Sequence, residues 1–173
     1  MFKLRYDKDC EPRYMSTNSA ACDLVARDQV VVAARGRAKV PTGVWIESVE
    51  WGSVPAGQIP ELQLRARSGL AIKNGICLAN GVGTVDADFR DEICVLLSNT
   101  SDEDFVVQKG DRIAQAVLST VYRLGSVPVG EERCGGFGST GIKNEIPSSR
   151  PPDPAFGMGG DVASEGSHNV AVT

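Results

Sequence analysis

Residues 61–75 read ELQLRARSGLAIKNG. The first half alternates: Leu62, Leu64 and Ala66 fall on one side of an extended chain, Gln63, Arg65 and Arg67 on the other. A period of two marks a strand with one buried face. The second half breaks that period. Ser68 suits an N-cap and Gly75 suits the position just past a helix end, so one helical turn is predicted at 68–74. Two arginines thus lead directly into backbone N–H groups that the helix leaves without partners.

The strand pattern recurs on both sides of this segment. Strands are predicted at 2–5, 29–35 (with the Val30-Val31-Val32 run), 42–48, 76–80, 92–99, 104–108 and 113–122. Gly and Pro separate most of them, and no long 3.6-residue period appears. The expectation is an all-β barrel or sandwich over residues 1–132. A glycine-rich arm follows at 133–141, RCGGFGSTG. Residues 142–173, with PSSRPPDP and FGMGGDVASEGS, have no apolar period and are read as a flexible tail.

The 173 residues suffice for one ordinary domain, and 42% apolar content suffices for a core. Eighteen basic and 22 acidic residues give a net charge of −4, mixed along the chain. That excludes a bulk electrostatic grip on nucleic acid or an acidic membrane; phosphates must be held by placed cations. The start, MFKLRYDKDC, has no apolar run of the signal-peptide kind, and no stretch is long enough to span a bilayer. A cytoplasmic protein is expected, with a nuclear or viral setting left open. The five cysteines, 10, 22, 77, 94 and 134, are odd in number and form no CxxC pair. They suggest neither a disulfide framework nor a zinc site. The single histidine, His168, lies in the tail. Ser-His-Asp and Cys-His chemistry is therefore excluded from the main domain, and acid–base work falls to Asp, Glu, Lys or Tyr.

Five segments carry candidate chemistry. In RARSGLAIKNG, Arg67, Ser68 and Gly69 form either an oligophosphate seat or a capped turn beside two solvated arginines. In NGVGTVDADFRDEI (80–93), Asp86 and Asp88 share a face if the chain is extended. They are either a base beside a hydrated cation or the acids of a solvated hairpin. In GDRIAQ (110–115), Asp111 and Arg112 are expected to pair, and Gln115, in phase with Ile113 and Val117, needs a polar partner. SAACDL (19–24) offers Asp23 at a strand start. In RCGGFGSTG, Arg133, Ser139 and Thr140 are donors on a glycine-rich loop, and Phe137 is either a lid over a nucleobase or part of a plain linker. Stacking of that kind contributes about 1–3 kcal/mol.

In this order, the five segments resemble the motifs of the trimeric deoxyuridine triphosphatase (dUTPase) family, over about residues 1–141. The resemblance implies a jelly-roll-like β-barrel subunit, a homotrimer with active sites shared between subunits, and Mg²⁺-dependent hydrolysis of dUTP to dUMP and pyrophosphate. It implies that Asp86 is the general base toward water attacking the α-phosphorus. Phe89, where the family usually has Tyr, is implied to pack under the deoxyribose. Asn80, Gly83, Thr84 and Val85, with Cys94, are implied to surround uracil, leaving no room for the 5-methyl of thymine. Arg67, Ser68, Gly69 and Gln115 are implied to hold phosphates, and Asp23 to meet the metal only through water. Arg133, Ser139 and Thr140 are implied to clasp the γ-phosphate, with Phe137 and Gly138 over the base. Cys22 and Asp91 depart from the usual aromatic and glycine, and the fifth motif is one residue short before Gly135. A related fold with dCTP deaminase activity is the alternative, as is a non-catalytic nucleotide switch. The deaminases lack the GGFGSTG arm.

Overall fold

The computed structural model describes residues 1–126. The arm and tail, with Arg133, Phe137, Gly138, Ser139 and Thr140 and the boundaries at 132 and 141, lie outside the described residues.

The described residues form eleven strands and one short α-helix. β1 (Phe2–Tyr6) pairs with β5 (Val44–Val49), and β3 (Val30–Val32) with β10 (Phe105–Val107). β2 (Cys22–Val25), β11 (Arg112–Tyr122), β6 (Gln58–Arg65) and β8 (Gly83–Val85) make a four-stranded sheet in that order. β4 (Arg37–Pro41), β9 (Cys94–Asn99) and β7 (Ile76–Leu78) make a three-stranded one. All pairings are antiparallel. The helix, α1 (Ser68–Asn74), joins β6 to β7. This is the all-β architecture the alternation predicts.

The core is built by that alternation. On β6, Leu62 and Leu64 are buried while Glu61 and Gln63 stay half-exposed. On β9, Val95, Leu97 and Asn99 are buried and Cys94, Leu96 and Ser98 are partly open. These residues pack with Val32, Val40, Val44 and Ile46 in one cluster. Asn99 is polar yet buried, and its amide is fully used. Its Nδ2 donates to the Val32 and Glu103 carbonyls at 3.1 and 2.7 Å, and its Oδ1 accepts from Ser101 N and Oγ at 2.9 and 2.7 Å. A satisfied buried amide fixes geometry without a desolvation penalty.

Several expectations shift in detail. β6 ends at Arg65, so Ala66 is exposed instead of continuing the buried row. Arg67, at φ −89° and ψ 122°, takes the N-cap position, and Ser68 is the first helical residue; no side chain caps the helix. Gly75 does end the helix, at φ 65°, with its N–H donated to Ala71 and Leu70 carbonyls. A Cβ there would lie 2.7 Å from Thr100 Oγ1. β4 was not predicted. Its Arg37 and Lys39 are exposed and it closes with Pro41, on the edge of its sheet. Such a strand lacks a strong apolar signal. Asp91 needs no left-handed backbone; among described non-glycine residues only Asp9, Arg35 and Ser126 have positive φ. No described helix is long and apolar enough to cross a membrane.

One hydrogen bond ties the two sides of the segment preceding β9. Thr42 is fully buried, and its Oγ1 donates to the Ile93 carbonyl at 2.6 Å. Thr42→Val keeps the shape and leaves that carbonyl unpaired. A loss of about 1–2 kcal/mol is expected, read as a lower urea midpoint with unchanged m-value.

Candidate active site

Two arrangements converge polar chemistry, and each comes from residues far apart in sequence. The first is centred on Asp23. Its residue is 4% exposed. A buried carboxylate needs a counter-charge and hydrogen bonds, and β11 and the β6–α1 junction supply both. Arg112 Nη1 donates to Asp23 Oδ2 at 2.9 Å, and Gln115 Nε2 donates to Oδ1 at 3.2 Å. Arg67 Nη2 forms an ion pair with Oδ2 at 3.7 Å, while its Nη1 donates to the Arg112 carbonyl at 2.7 Å. The strand register explains the convergence: Gln115 lies opposite Asp23 on one side and Arg65 on the other.

Arg67, Gln115 and Asp23 therefore meet, as their motifs suggest, and Gln115 finds its polar partner in Asp23. Arg112 was expected to pair with Asp111. Instead it reaches Asp23, and Asp111 Oδ2 accepts from Gln108 N at 2.8 Å. Ser68 and Gly69 are exposed at the start of α1, beside Arg67. A Cβ on Gly69 would meet nothing within 4 Å, so no internal packing demands glycine there. Arg65, opposite Gln115, donates to Gln63 Oε1 at 2.8 Å.

The second arrangement is a cleft of about 580 Å³. Asn80, Gly83, Thr84, Val85, Phe89 and Cys94, all candidates from sequence, line it together. So do Leu64, Leu78, Ile93, Leu96 and Lys39, which sequence reasoning did not single out. The apolar ones carry the same periodicity as any core residue, so nothing marks them in advance. Gly83 approaches β6 closely; a Cβ there would lie 3.1 Å from Leu64 Cβ. The far wall is pinned by Glu92. Its Oε1 accepts from Gly43 N at 2.7 Å and its Oε2 from Arg27 Nη1 at 2.8 Å. Burial, helped by the Glu92 charge, pushes the Cys94 thiol up, against a smaller opposing pull from Lys39. Cys94 is thus a neutral thiol in the wall at neutral pH.

Asp86 follows Val85 directly and is exposed at the end of this cleft-lining strand. The chain then turns: Phe89 N donates to the Asp86 carbonyl at 3.1 Å. Arg90 Nη1 closes the turn through the Ala87 and Phe89 carbonyls at 2.8 and 3.1 Å. Asp86 and Asp88 are both exposed, but through this turn rather than through an extended chain. Phe89 is buried, its ring part of both cleft and core. No group of three or more His, Cys, Asp or Glu among the described residues is placed to hold a metal ion.

Register separates the two arrangements. β8 runs antiparallel to β6, with Gly83 opposite Leu64 and Val85 opposite Leu62. Asp86 therefore continues toward the level of residue 61, while Arg67 lies beyond the other end of β6. At about 3.3 Å per residue, the four steps from residue 61 to Arg65, where β6 ends, span roughly 13 Å. Within one chain, the Asp86 carboxylate and the Asp23–Arg67–Gln115 group are at opposite ends.

Residues 8–141 match the family model described as dUTPase. The deoxyuridine 5'-triphosphate nucleotidohydrolase of Treponema pallidum is 45% identical over 139 residues, covering 76% of this chain and 90% of that protein. That of Anaplasma marginale is 44% identical over 137 residues, covering 75% and 88%. Among solved structures, the dUTPase of Streptococcus mutans aligns with a TM-score of 0.60 at 25% identity, over 70% of this chain and 96% of that one. The dUTPase of phage phi11 of S. aureus aligns at 0.58 and 18% identity, over 76% and 97%, a likeness of fold alone. The motifs, the all-β architecture and these matches agree, and the chain belongs to the dUTPase family.

Proposed function

We propose that the protein hydrolyses dUTP to dUMP and pyrophosphate by in-line attack of water on the α-phosphorus, limiting uracil in DNA and supplying dUMP for dTMP synthesis. The observation that carries this reading is the cleft: six residues of one segment, 80–94, line it, and Asp86 is the next residue after its wall strand. Uracil fills the cleft, with Phe89 against the deoxyribose. A 2′-hydroxyl meets the ring, and a 5-methyl meets the walls. Asp86, exposed at the end, accepts a proton from water as it attacks. Geometric placement of water and phosphorus together supplies much of the rate.

The phosphates are held by Arg67, Ser68, Gly69 and Gln115. Gln115 lies level with Arg65, about 13 Å along β6 from the level of Asp86, and Arg67 lies past the strand's end, so we take these groups to serve a different copy's triphosphate from their own chain's base. Each site therefore combines the cleft and Asp86 of one copy with the Arg67 group of another, and we assign the family's homotrimer to this chain. A hydrated Mg²⁺ fits this donor set. Asp23, nearly buried and held through its oxygens by Arg112 and Gln115, would meet such an ion through the ion's own waters, and the phosphates would hold it directly. When bound, the ion offsets phosphate charge. Arg133, Ser139 and Thr140 are assigned to the γ-phosphate, and Phe137 and Gly138 to the base. Residues 133–141 then serve as an active-site arm, distinct from the barrel and from the tail at 142–173. A cytoplasmic setting suits a substrate of this kind.

Pyrophosphate release from dUTP, dCTP, dTTP and UTP, with and without Mg²⁺, tests the reading. Release from dUTP alone, with Mg²⁺, is expected; ammonia release from dCTP would point to the deaminase instead. Asp86→Asn is expected to bind nucleotide and lose about 10²–10⁴-fold in kcat; normal turnover by that variant removes Asp86 from the role of base. Asp23→Asn weakens the hold on Arg67 and Arg112. It is expected to raise KM for dUTP about tenfold or more, the effect of one charge-assisted hydrogen bond, while deoxyuridine binding stays unchanged by calorimetry.

A further inference from the structure

Arg112 reaches Asp23 because β11 carries a bulge. Ala114, Gln115 and Ala116 lie opposite Leu24, Asp23 and Cys22 in unbroken register, but Arg112 lies opposite Val25, so two steps of β11 span one step of β2. Strict alternation would set Arg112 on the face of Ala114 and Ala116, both buried, and away from Gln115 and Asp23. The extra residue turns it back. Ile113 and Ala114, consecutive and both buried, mark the place. Bulges that re-aim one side chain in this way are common beside active sites.

Two cations then share one acid, and the distances divide it unequally. Arg112 Nη1 is within hydrogen-bond distance of Asp23 Oδ2, at 2.9 Å, whereas Arg67 Nη2 is at 3.7 Å, beyond it. Arg67 is held instead by a neutral group, donating Nη1 to the Arg112 carbonyl at 2.7 Å. One anion against two cations leaves one positive charge, and the geometry leaves it on Arg67, beside the exposed Ser68 and Gly69. A buried carboxylate does not stay unpaired. Without the Arg112 side chain the cation at hand is Arg67, and a short shift would spend its charge on Asp23.

We propose that Arg112 is a positioning residue: as the counter-ion of Asp23, it keeps the Arg67 guanidinium available to the phosphates of the substrate. Arg112 itself touches no phosphate. This rests on the proposed dUTP reading, in which Arg67 holds those phosphates.

Arg112→Met keeps much of the bulk and the main-chain carbonyl that holds Arg67, and removes the charge; Arg112→Lys restores a cation. Both are compared with wild type, with Asp23→Asn and with the Asp23→Asn/Arg112→Met double variant, and thermal melts verify folding. Calorimetry without Mg²⁺ reads the binding of dUDP and of deoxyuridine, and steady-state hydrolysis of dUTP separates KM from kcat. For Arg112→Met, dUDP binding is expected to weaken about tenfold, deoxyuridine binding to stay unchanged, and KM for dUTP to rise by more than kcat falls. Arg112→Lys recovers part of the loss. With the anion removed by Asp23→Asn there is nothing left to neutralise, so the double variant binds dUDP as Asp23→Asn alone does. That comparison holds whether or not Arg112→Met folds, because neither protein in it carries the buried charge. A double variant about tenfold weaker than Asp23→Asn places Arg112 on a phosphate and overturns the inference. So does unchanged dUDP binding in a folded Arg112→Met. An Arg67→Ala protein that binds dUDP as tightly as wild type would instead overturn the phosphate assignment, and with it the reading beneath.

Discussion

The Asp23 carboxylate is shut away from water, and a buried anion that lacks a counter-ion does not persist. Its neutralisation by Arg112 and Arg67, with Gln115 on the second oxygen, sets the rest of the site. Three segments must meet there: β2, the start of β11 and the junction between β6 and α1. The requirement fixes where β6 ends, where the helix begins and which way the Arg67 fork faces. It also leaves that fork partly exposed and positively charged, next to the helix start, where an oligophosphate is favoured. A single buried acid thus organises the cations at this end of β6.

The cleft depends on a different kind of constraint. Its walls are mostly apolar, so its shape is set by how neighbouring strands are tied. Thr42 holds the Ile93 carbonyl, Glu92 holds Gly43 N, and Ile93 N donates to the Val44 carbonyl at 2.8 Å. On the other side, Ala79 N donates to the Leu96 carbonyl at 2.8 Å, and Gly83 lets β8 press against Leu64. Backbone ties at both rims make the width of the opening a property of the fold rather than of adaptable side chains. That suits the role proposed for this pocket, refusal of one methyl group.

Much of this was legible in the sequence, for physical reasons that can be named. The period of two in 61–67 pointed to a strand, which ends at Arg65, Gly75 pointed to the helix end, and the motif resemblance, not spacing, pointed to Asn80, Gly83, Phe89 and Cys94, which line one cleft. What stayed hidden depends on contacts across long stretches of chain. Asp111 and Arg112 look like a pair because they are neighbours, yet Arg112 bonds to Asp23, 89 residues away. Ser68 looks like a cap, but the strand stops early enough for Arg67 to take that position. Lys39 looks like a solvated edge charge; only the register of β4 on β9 sets it beside the cleft. Residues 127–173 lie outside the described structure, so the arm's part in the site rests on its motif.

The proposed account turns on the register of β6 and β8, which sets Asp86 and the Arg67 group toward opposite ends of β6, so that a complete site is taken to need two copies. Co-refolding equal amounts of Asp86→Asn and Arg67→Ala protein measures this directly. In a ring of copies, a site with an intact Asp86 and an intact neighbouring Arg67 arises at about one in four positions, whatever the ring's size. The mixture is predicted to regain about a quarter of wild-type dUTP hydrolysis although each parent alone is nearly inactive. A mixture no more active than the mean of its parents would place both residues in one chain's site and contradict the account.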